Sequence, residues 1–226
     1  MFGTDEAGKG PVLGSMFAAA VGVAERGVLP DGIDDSKNLP SERREAIAAD
    51  LRADDRVAVG VAEIPVERID GDADMNTLTV VAHAEALGTA VTGDGAVSSA
   101  APEAIADAGD TSEARFARRV ADRLAADVDV TAEHGADETH AVVGAASIVA
   151  KVARDSHVEA LAEEYREEYG EAFGDLGSGY PSDPTTREFL ERFVAERGRL
   201  PDCARRSWST CEDVLARQEQ SGLGEF

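Results

Sequence analysis

The sequence predicts an α/β domain with a mixed sheet and a helical C-terminal portion. Two observations carry that reading: stretches with strand character gather early in the chain, and strands then alternate with helical patterns. Apolar runs at 1–5 and 15–23 (SMFAAAVGV) flank the Gly/Pro segment GKGPVLG and read as strand, loop and strand. Pro40 followed by SERREAIAADL marks a helix start, with proline and acidic residues where a first turn favours them. VAVGVAEIPV (57–66) reads as a strand, and Asn76 caps a helix through TLTVVAHAEALGTAV. Small polar residues at 93–103 form a loop before the strand EAIADAG (103–109). Ser112 opens the helix SEARFARRVADRLAA, DVDVTAEH is a strand, and AASIVAKVARDSHVEALAEEYREEY is a long helix. The Gly-rich loop FGDLGSGYPSDP precedes the helix TTREFLERFVAER, after which the chain is polar and carries no clear pattern. No repeat or inter-domain linker is visible, so 1–226 reads as a single domain with a helical extension from about 184.

Composition narrows the setting. Apolar residues make up 43% of the 226, enough for a packed core. No apolar run approaches the roughly 20 residues needed to span a bilayer, and the start MFGTDEAGKG does not read as a secretory signal. A cytoplasmic protein without a membrane role is expected. Cys203 and Cys211 stand outside any C-x-x-C pair and are expected to be reduced bystanders. Acidic residues number 45 against 22 basic ones, for a net charge of −23. Dense Asp and Glu with scarce lysine suggest a cytosol of molar salt, where the Debye length is about 3 Å and a dense acidic surface costs little. Most carboxylates are then solvated surface, and position alone can single out an active site. The three lysines, Lys9, Lys37 and Lys151, each fall inside a motif.

The first motif is Gly3-Thr4-Asp5-Glu6-Ala7-Gly8-Lys9-Gly10. It nearly matches the phosphate loop G-x-x-x-x-G-K-[ST], but position 10 is Gly, without a hydroxyl for magnesium, and Asp5 and Glu6 would repel phosphate. The alternative is a pair of carboxylates at a strand end, followed by a loop whose backbone amides can approach a ligand. Neighbours on a regular strand face opposite sides, so joint use of both acids implies irregular backbone there. Asp34-Asp35-Ser36-Lys37 is equally consistent with a polar helix entry. Asp107 ends an apolar strand, with Asp110 three residues on. Asp137 follows another strand in EHGAD; His134 and His140 lack zinc-site spacing, and oxygen-only ligands suit Mg²⁺ or Mn²⁺ better. Ser147, Lys151, Arg154 and Asp155 share one helix face, a surface salt-bridge stripe or a binding face. The loop Gly177-Ser178-Gly179-Tyr180 can bring an aromatic ring against a sugar or base. The ladder Asp70, Asp72, Asp74, Asn76 fails as a calcium loop, because Met75 and Val81 stand where Gly and Glu are needed.

In combination, DEAGKGP (5–11), DSKNL (35–39), AEHGADETHAVVGAASIVAKVARD (132–155) and GSGYPSDPTT (177–186) resemble ribonuclease HII, the type 2 ribonuclease H, in an archaeal and halophilic version. The resemblance implies a ribonuclease H-like fold: a central five-stranded mixed sheet flanked by helices, plus a C-terminal helical portion. It places the catalytic, metal-holding acids at Asp5, Glu6, Asp107 and Asp137, and the cofactor as Mn²⁺ or Mg²⁺, two ions during catalysis. Gly8, Lys9 and Gly10 correspond to the segment that contacts the ribose 2′-hydroxyl, where the family usually has Arg in place of Lys9. Lys37, Ser147, Lys151 and Tyr180 complete the expected substrate contacts, Tyr180 beside the RNA–DNA junction.

The implied activity is endonucleolytic hydrolysis of the RNA strand of RNA–DNA hybrids. Cutting 5′ of single ribonucleotides embedded in duplex DNA is also implied, leaving 5′-phosphate and 3′-hydroxyl ends. Because a −23 protein must still bind a polyanion, Lys9, Lys37, Lys151 and Arg154 are expected to form a local cationic track. A monomer is expected, and the ending GLGEF carries no clear sliding-clamp motif. A nucleotide-binding ATPase and a non-enzymatic acidic binding module are the rival classes.

Overall fold

Residues 1–30, 32–33, 39–93 and 102–223 are described by the computed structural model. Strands β1 (Phe2–Ala7) and β2 (Met16–Val23) are followed by α1 (Ser41–Ala53), β3 (Val57–Ile64), the short α2 (Val66–Ile69) and α3 (Met75–Thr92). Next come β4 (Glu103–Asp107), α4 (Glu113–Ala121), β5 (Asp129–Glu133), α5 (Ala136–Thr139) and α6 (Ala141–Tyr169). The helices α7 (Pro184–Arg197) and α8 (Ser209–Leu223) complete the order. The described strands form one five-stranded sheet in the order β3-β2-β1-β4-β5. β1, β2 and β3 pair antiparallel, whereas β1, β4 and β5 pair parallel, so the sheet is mixed as the sequence predicts.

Two glycines let helices close on opposite faces of the sheet. A Cβ at Gly3 would lie 2.5 Å from the backbone of Val142 and Val143 in α6, and one at Gly60 would lie 2.1 Å from the Ala86 carbonyl in α3. Residues of alternating parity along a strand therefore serve different helices. Ala19, Val21 and Val23 pack with Ile47 and Leu51 of α1 and Val143, Ile148 and Val149 of α6. The opposite parity, which includes Thr4 and Glu6, faces α3.

The chain divides into two compact units. The first comprises Met1–Lys9, Met16–Ile64 and Asp74–Arg154; the second comprises Gly10–Ser15, Pro65–Ala73 and Asp155–Phe226. The first holds the sheet. The second is built on a cluster of Tyr165, Tyr169, Phe173, Phe189 and Phe193, with neighbouring rings meeting mainly edge to face. Within it the Gly10–Ser15 loop is strapped down: Val12 N–H donates to Gly179 O at 2.8 Å, and Gly14 N–H to Cys203 O at 2.8 Å. Fully buried Arg205 donates from Nε to Gly14 O at 2.9 Å. Cys203 and Cys211 are unpaired and buried, which pushes their thiols up to about 12 and about 11. Among the described residues no helix is long and apolar enough to cross a membrane.

Three details depart from the sequence reading. The N-cap of α3 is Asp74, not Asn76: its carboxylate accepts the Thr77 N–H at 2.9 Å, and its negative charge suits the positive helix end better than an amide does. β1 stays regular through Ala7, pairing Asp5 with Ala19 and Glu6 with Ala18, so the irregular backbone expected between the two acids is absent. The polar tail forms α8, anchored by buried Cys211 and Val214.

Candidate active site

The parallel strands β1 and β4 and the turn after β5 deliver four acids to the first unit. Asp5 and Glu6 lie near the C-terminal end of β1, Asp107 is the last residue of β4, and Asp137 stands in the first turn of α5, just beyond β5. Open α/β sheets present ligands at such carboxyl ends. Asp5 is 5% exposed and Asp137 equally buried. Burial, then the charges of Glu6 and Asp107, push the Asp5 carboxyl up to about 7, against a hydrogen bond from Ser147. Burial also raises Asp107, with the charges of Glu6 and Asp137 adding to it, while the Ala136 N–H donates to its Oδ1 at 2.9 Å. Like charges that raise one another in this way are within electrostatic reach. Among the described residues, no three His, Cys, Asp or Glu side chains are already gathered tightly enough to hold an ion.

Glu6 behaves differently. Burial alone would raise it, but the hydrogen bond and charge of His83, with the charge of Lys9, outweigh burial and hold it below its usual value. His83 is fully buried in α3, with Nε2 2.7 Å from Glu6 Oε2. The sequence reading missed His83. The available signal was a histidine within the largely apolar stretch VVAHAEAL.

Asp110 is committed elsewhere. Arg115 binds its carboxylate with two nitrogens, at 2.9 and 2.5 Å, and that hydrogen bonding holds Asp110 well below the usual range. His134 spans the neighbouring turns: its ring bonds Glu113 Oε1 at 2.8 Å and Asp110 O at 2.9 Å. It fastens the turn leading to Asp137 against the one following Asp107 and is no ligand in this arrangement.

The expected substrate contacts fall into three groups. Gly8 has φ +89°, a backbone conformation natural to glycine, and turns the chain out of β1. Lys9 Nζ donates to Gly109 O at 2.6 Å and lies 3.3 Å from Asn76 Oδ1, so its ammonium joins the loop after β1 to the loop after β4 and the start of α3. Ser147 is 1% exposed; its hydroxyl bonds Asp5 and accepts from Lys151 Nζ at 2.8 Å. The shared helix face predicted for Ser147 and Lys151 is therefore present, and it serves an acid. In the second unit Tyr180 is 42% exposed, and a Cβ at Gly10 would lie 3.5 Å from its ring. Trp208 Nε1 donates to Gly10 O at 3.4 Å. Lys37, with Asp34, Asp35 and Ser36, lies outside the described residues.

This architecture has known counterparts. A family model described as Ribonuclease HII matches residues 2–211. A ribonuclease HII of Haloarcula marismortui is 61% identical over 226 residues, covering 100% of this chain and 99% of that protein. Among solved structures, ribonuclease H2 from Pyrococcus horikoshii is similar with a TM-score of 0.80 at 33% identity, covering 96% of this chain and 98% of the other. The structure of a PCNA:RNase HII complex from Archaeoglobus fulgidus matches with a TM-score of 0.78 at 34% identity, over 94% and 95% of the two chains.

Proposed function

The chain belongs to the ribonuclease HII family and is an endoribonuclease acting on RNA–DNA hybrids, and we propose that Asp5, Glu6, Asp107 and Asp137 are its catalytic acids. It cuts hybrid RNA strands and also cuts 5′ of single ribonucleotides embedded in duplex DNA, leaving 5′-phosphate and 3′-hydroxyl ends. The observation that carries this reading is the delivery of four acids to one end of the parallel strands, where Glu6 and Asp107 bear on Asp5, and Glu6 and Asp137 on Asp107. Its setting is the cytoplasm.

The donor set fits a hard divalent cation: it is made of carboxylate oxygens, and the burial, with the neighbouring negative charges, that raises Asp5 and Asp107 is what a bound cation offsets. Asp5, Glu6, Asp107 and Asp137 would hold Mn²⁺ or Mg²⁺, two ions during turnover, supplying Lewis-acid activation of water and neutralising charge at the leaving 3′-oxygen. The remaining work belongs to the chain. Ser147, backed by Lys151, orients Asp5, and the Ala136 amide fixes one oxygen of Asp107. Lys9 ties the loops after β1 and β4 together, so the backbone amides of Gly8, Lys9 and Gly10 meet a ribose in a fixed register. Amides that reach the 2′-hydroxyl distinguish RNA from DNA without reading base sequence. Tyr180, exposed on its Gly-rich turn, stacks on the sugar or base at the junction, and Lys37 and Lys151 contribute positive charge towards the backbone. The A. fulgidus complex with PCNA makes a sliding clamp a reasonable partner to test for this chain as well.

The test is cleavage of a labelled DNA duplex carrying one ribonucleotide, in high salt with Mn²⁺ or Mg²⁺, beside Asp5→Asn. A 5′-side cut that is lost in the variant and in chelator supports the proposal. A folded protein that cuts hybrids but leaves the single ribonucleotide intact would restrict it to hybrids, and an active Asp5→Asn would remove the acid assignment.

A further inference from the structure

Of the groups around Glu6, His83 is the one whose place in the chemistry is unassigned. Its imidazole is fixed on three sides. Nε2 lies 2.7 Å from Glu6 Oε2, Nδ1 lies 3.3 Å from Thr4 Oγ1, and the ring meets Phe116 at 5.0 Å between centroids and 87° between planes. Thr4, itself fully buried on β1, donates its single hydroxyl proton to Ala19 O at 2.9 Å. The Glu6 carboxylate can only accept, so Nε2 donates to it; the Thr4 hydroxyl, 3.3 Å from Nδ1, closes the other side of the ring. The chain Ala19 O, Thr4, His83, Glu6 thus runs from the backbone of β2 to one oxygen of an acid.

The other oxygen of Glu6 has a separate setting. A Cβ at Gly109 would come within 3.3 Å of Glu6 Oε1 and 2.6 Å of Thr79 Cγ2, so glycine lets the chain after β4 pass close to Oε1. His83 occupies Oε2, and Oε1 lies on the side of the chain that follows β4.

We propose that His83 is a positioning residue that locks the Glu6 carboxylate in one rotamer, holding Oε2 so that Oε1 is presented to the catalytic cation. This rests on the reading of Glu6 as a metal-holding acid. Hydrogen-bond partners behind a ligating carboxylate typically contribute about 10–100-fold to metal affinity or activity. A buried histidine that merely fills space would contribute nothing to either once the protein is folded.

The experiment titrates Mn²⁺ calorimetrically into the metal-free, full-length protein as wild type, His83→Phe, His83→Gln and Glu6→Gln, with hybrid cleavage in parallel. His83→Phe keeps an aromatic ring and removes both hydrogen bonds. It should weaken Mn²⁺ binding by about 10–100-fold and lower kcat, with KM for the hybrid unchanged. His83→Gln, which restores an N–H towards Glu6, should recover most of the loss. In the metal-free wild type, ¹⁵N-resolved spectra should show a slowly exchanging proton on His83 Nε2, the nitrogen facing Glu6. If His83→Phe is folded and binds Mn²⁺ like wild type while Glu6→Gln does not, the positioning role is refuted and the acid assignment stands. If Glu6→Gln also binds and cleaves normally, both fall. Equal losses in the Phe and Gln variants would make the role steric and overturn the proposal. Should the Phe variant fail to fold, Thr4→Val, which removes the hydroxyl from Nδ1 and from Ala19 O but leaves His83 beside Glu6, must weaken Mn²⁺ binding in the same direction, and no shift there overturns it.

Discussion

Replacing Asp5 by Asn should strengthen the metal-free fold at neutral pH while abolishing cleavage. Burial first, and the charges of Glu6 and Asp107 after it, move the Asp5 carboxyl from 3.8 up to about 7. An acid whose folded value lies above its unfolded value holds its proton more tightly in the folded protein. Its contribution to stability is therefore full below about pH 4 and is lost as the pH rises through about 7. At roughly 1.4 kcal/mol per unit, the shift from 3.8 to about 7 sets an upper limit of about 4 kcal/mol above neutrality. Glu6 runs the other way, since its folded value lies below 4.5, and returns part of that cost. Asparagine keeps the shape and removes the buried charge. At about 2–4 °C per kcal/mol for a chain of this size, its melting midpoint in chelator at pH 8 should exceed wild type by several degrees and by no more than about 15 °C. The gap should close towards pH 4, where Asp5 is protonated and resembles Asn. Saturating Mn²⁺ should stabilise wild type alone, because a ligand that binds only the folded state adds RT ln(1 + [L]/Kd). Thermal unfolding from pH 4 to 8, with and without metal, reads all of this. An Asn variant no more stable than wild type at pH 8, or a gap independent of pH, would refute the buried-charge argument.

Three further outcomes follow from named contacts. Asp107→Asn should cut hybrid cleavage by more than the roughly 100-fold that loss of an outer partner can cost, while Asp110→Asn, whose carboxylate is already bound by Arg115, should stay near wild type in the same single-turnover assay. Gly60→Ala should cost about 1–3 kcal/mol or more of stability in a thermal melt, because its Cβ would lie 2.1 Å from the Ala86 carbonyl and 2.7 Å from the Ala90 nitrogen, both in the backbone of α3. The side-chain hydrogen bond with Glu113 raises His134 above 6.5, while the His134 backbone N–H first and its ring second lower Glu113 below 4.5. Their pair is then fully formed between those values and is lost as the pH rises through the His134 midpoint, so the stability gap to Glu113→Gln should be widest near pH 5–6 and narrow on the alkaline side. NMR titration of His134 in the two proteins should show the midpoint falling in the variant.

What the sequence made legible was whatever depends on local pattern. The alternation of apolar runs and helical faces places every strand of the sheet, because burial on one or both faces writes a period into the chain, and Ser112 marks its helix start correctly through the Arg115 N–H it accepts. The family motifs fixed attention on Asp5, Glu6 and Asp137 before any geometry was known. Choices that depend on pairing at a distance were not legible. Asp107 and Asp110 stand three residues apart in equally polar surroundings, and what separates them is an arginine on α4 that chooses Asp110. His83 lies 77 residues from the glutamate it holds, so no local window joins them. The same limit applies to α8, whose few apolar anchors, Cys211 and Val214, are too sparse to mark a helix without the pocket that receives them.

Among so many acids, those of the site are distinguished by the partners they have. Surface carboxylates here are matched in the ordinary way: Asp54 by Arg56, Glu188 by Arg192, Glu191 by Arg217. Such exposed pairs contribute little and fade in salt. Asp5 and Asp107 are set among other carboxylates and have neutral donors, the Ser147 hydroxyl and the Ala136 amide, in place of arginines. An arginine in either position would have satisfied the charge internally and left no affinity for a cation. Neutral donors orient a carboxylate and leave most of its charge uncompensated, and burial keeps that charge from being screened by salt as the surface pairs are. Glu6 is the exception, with His83 on one oxygen, and the cost of removing that ring should appear in metal affinity before it appears in folding.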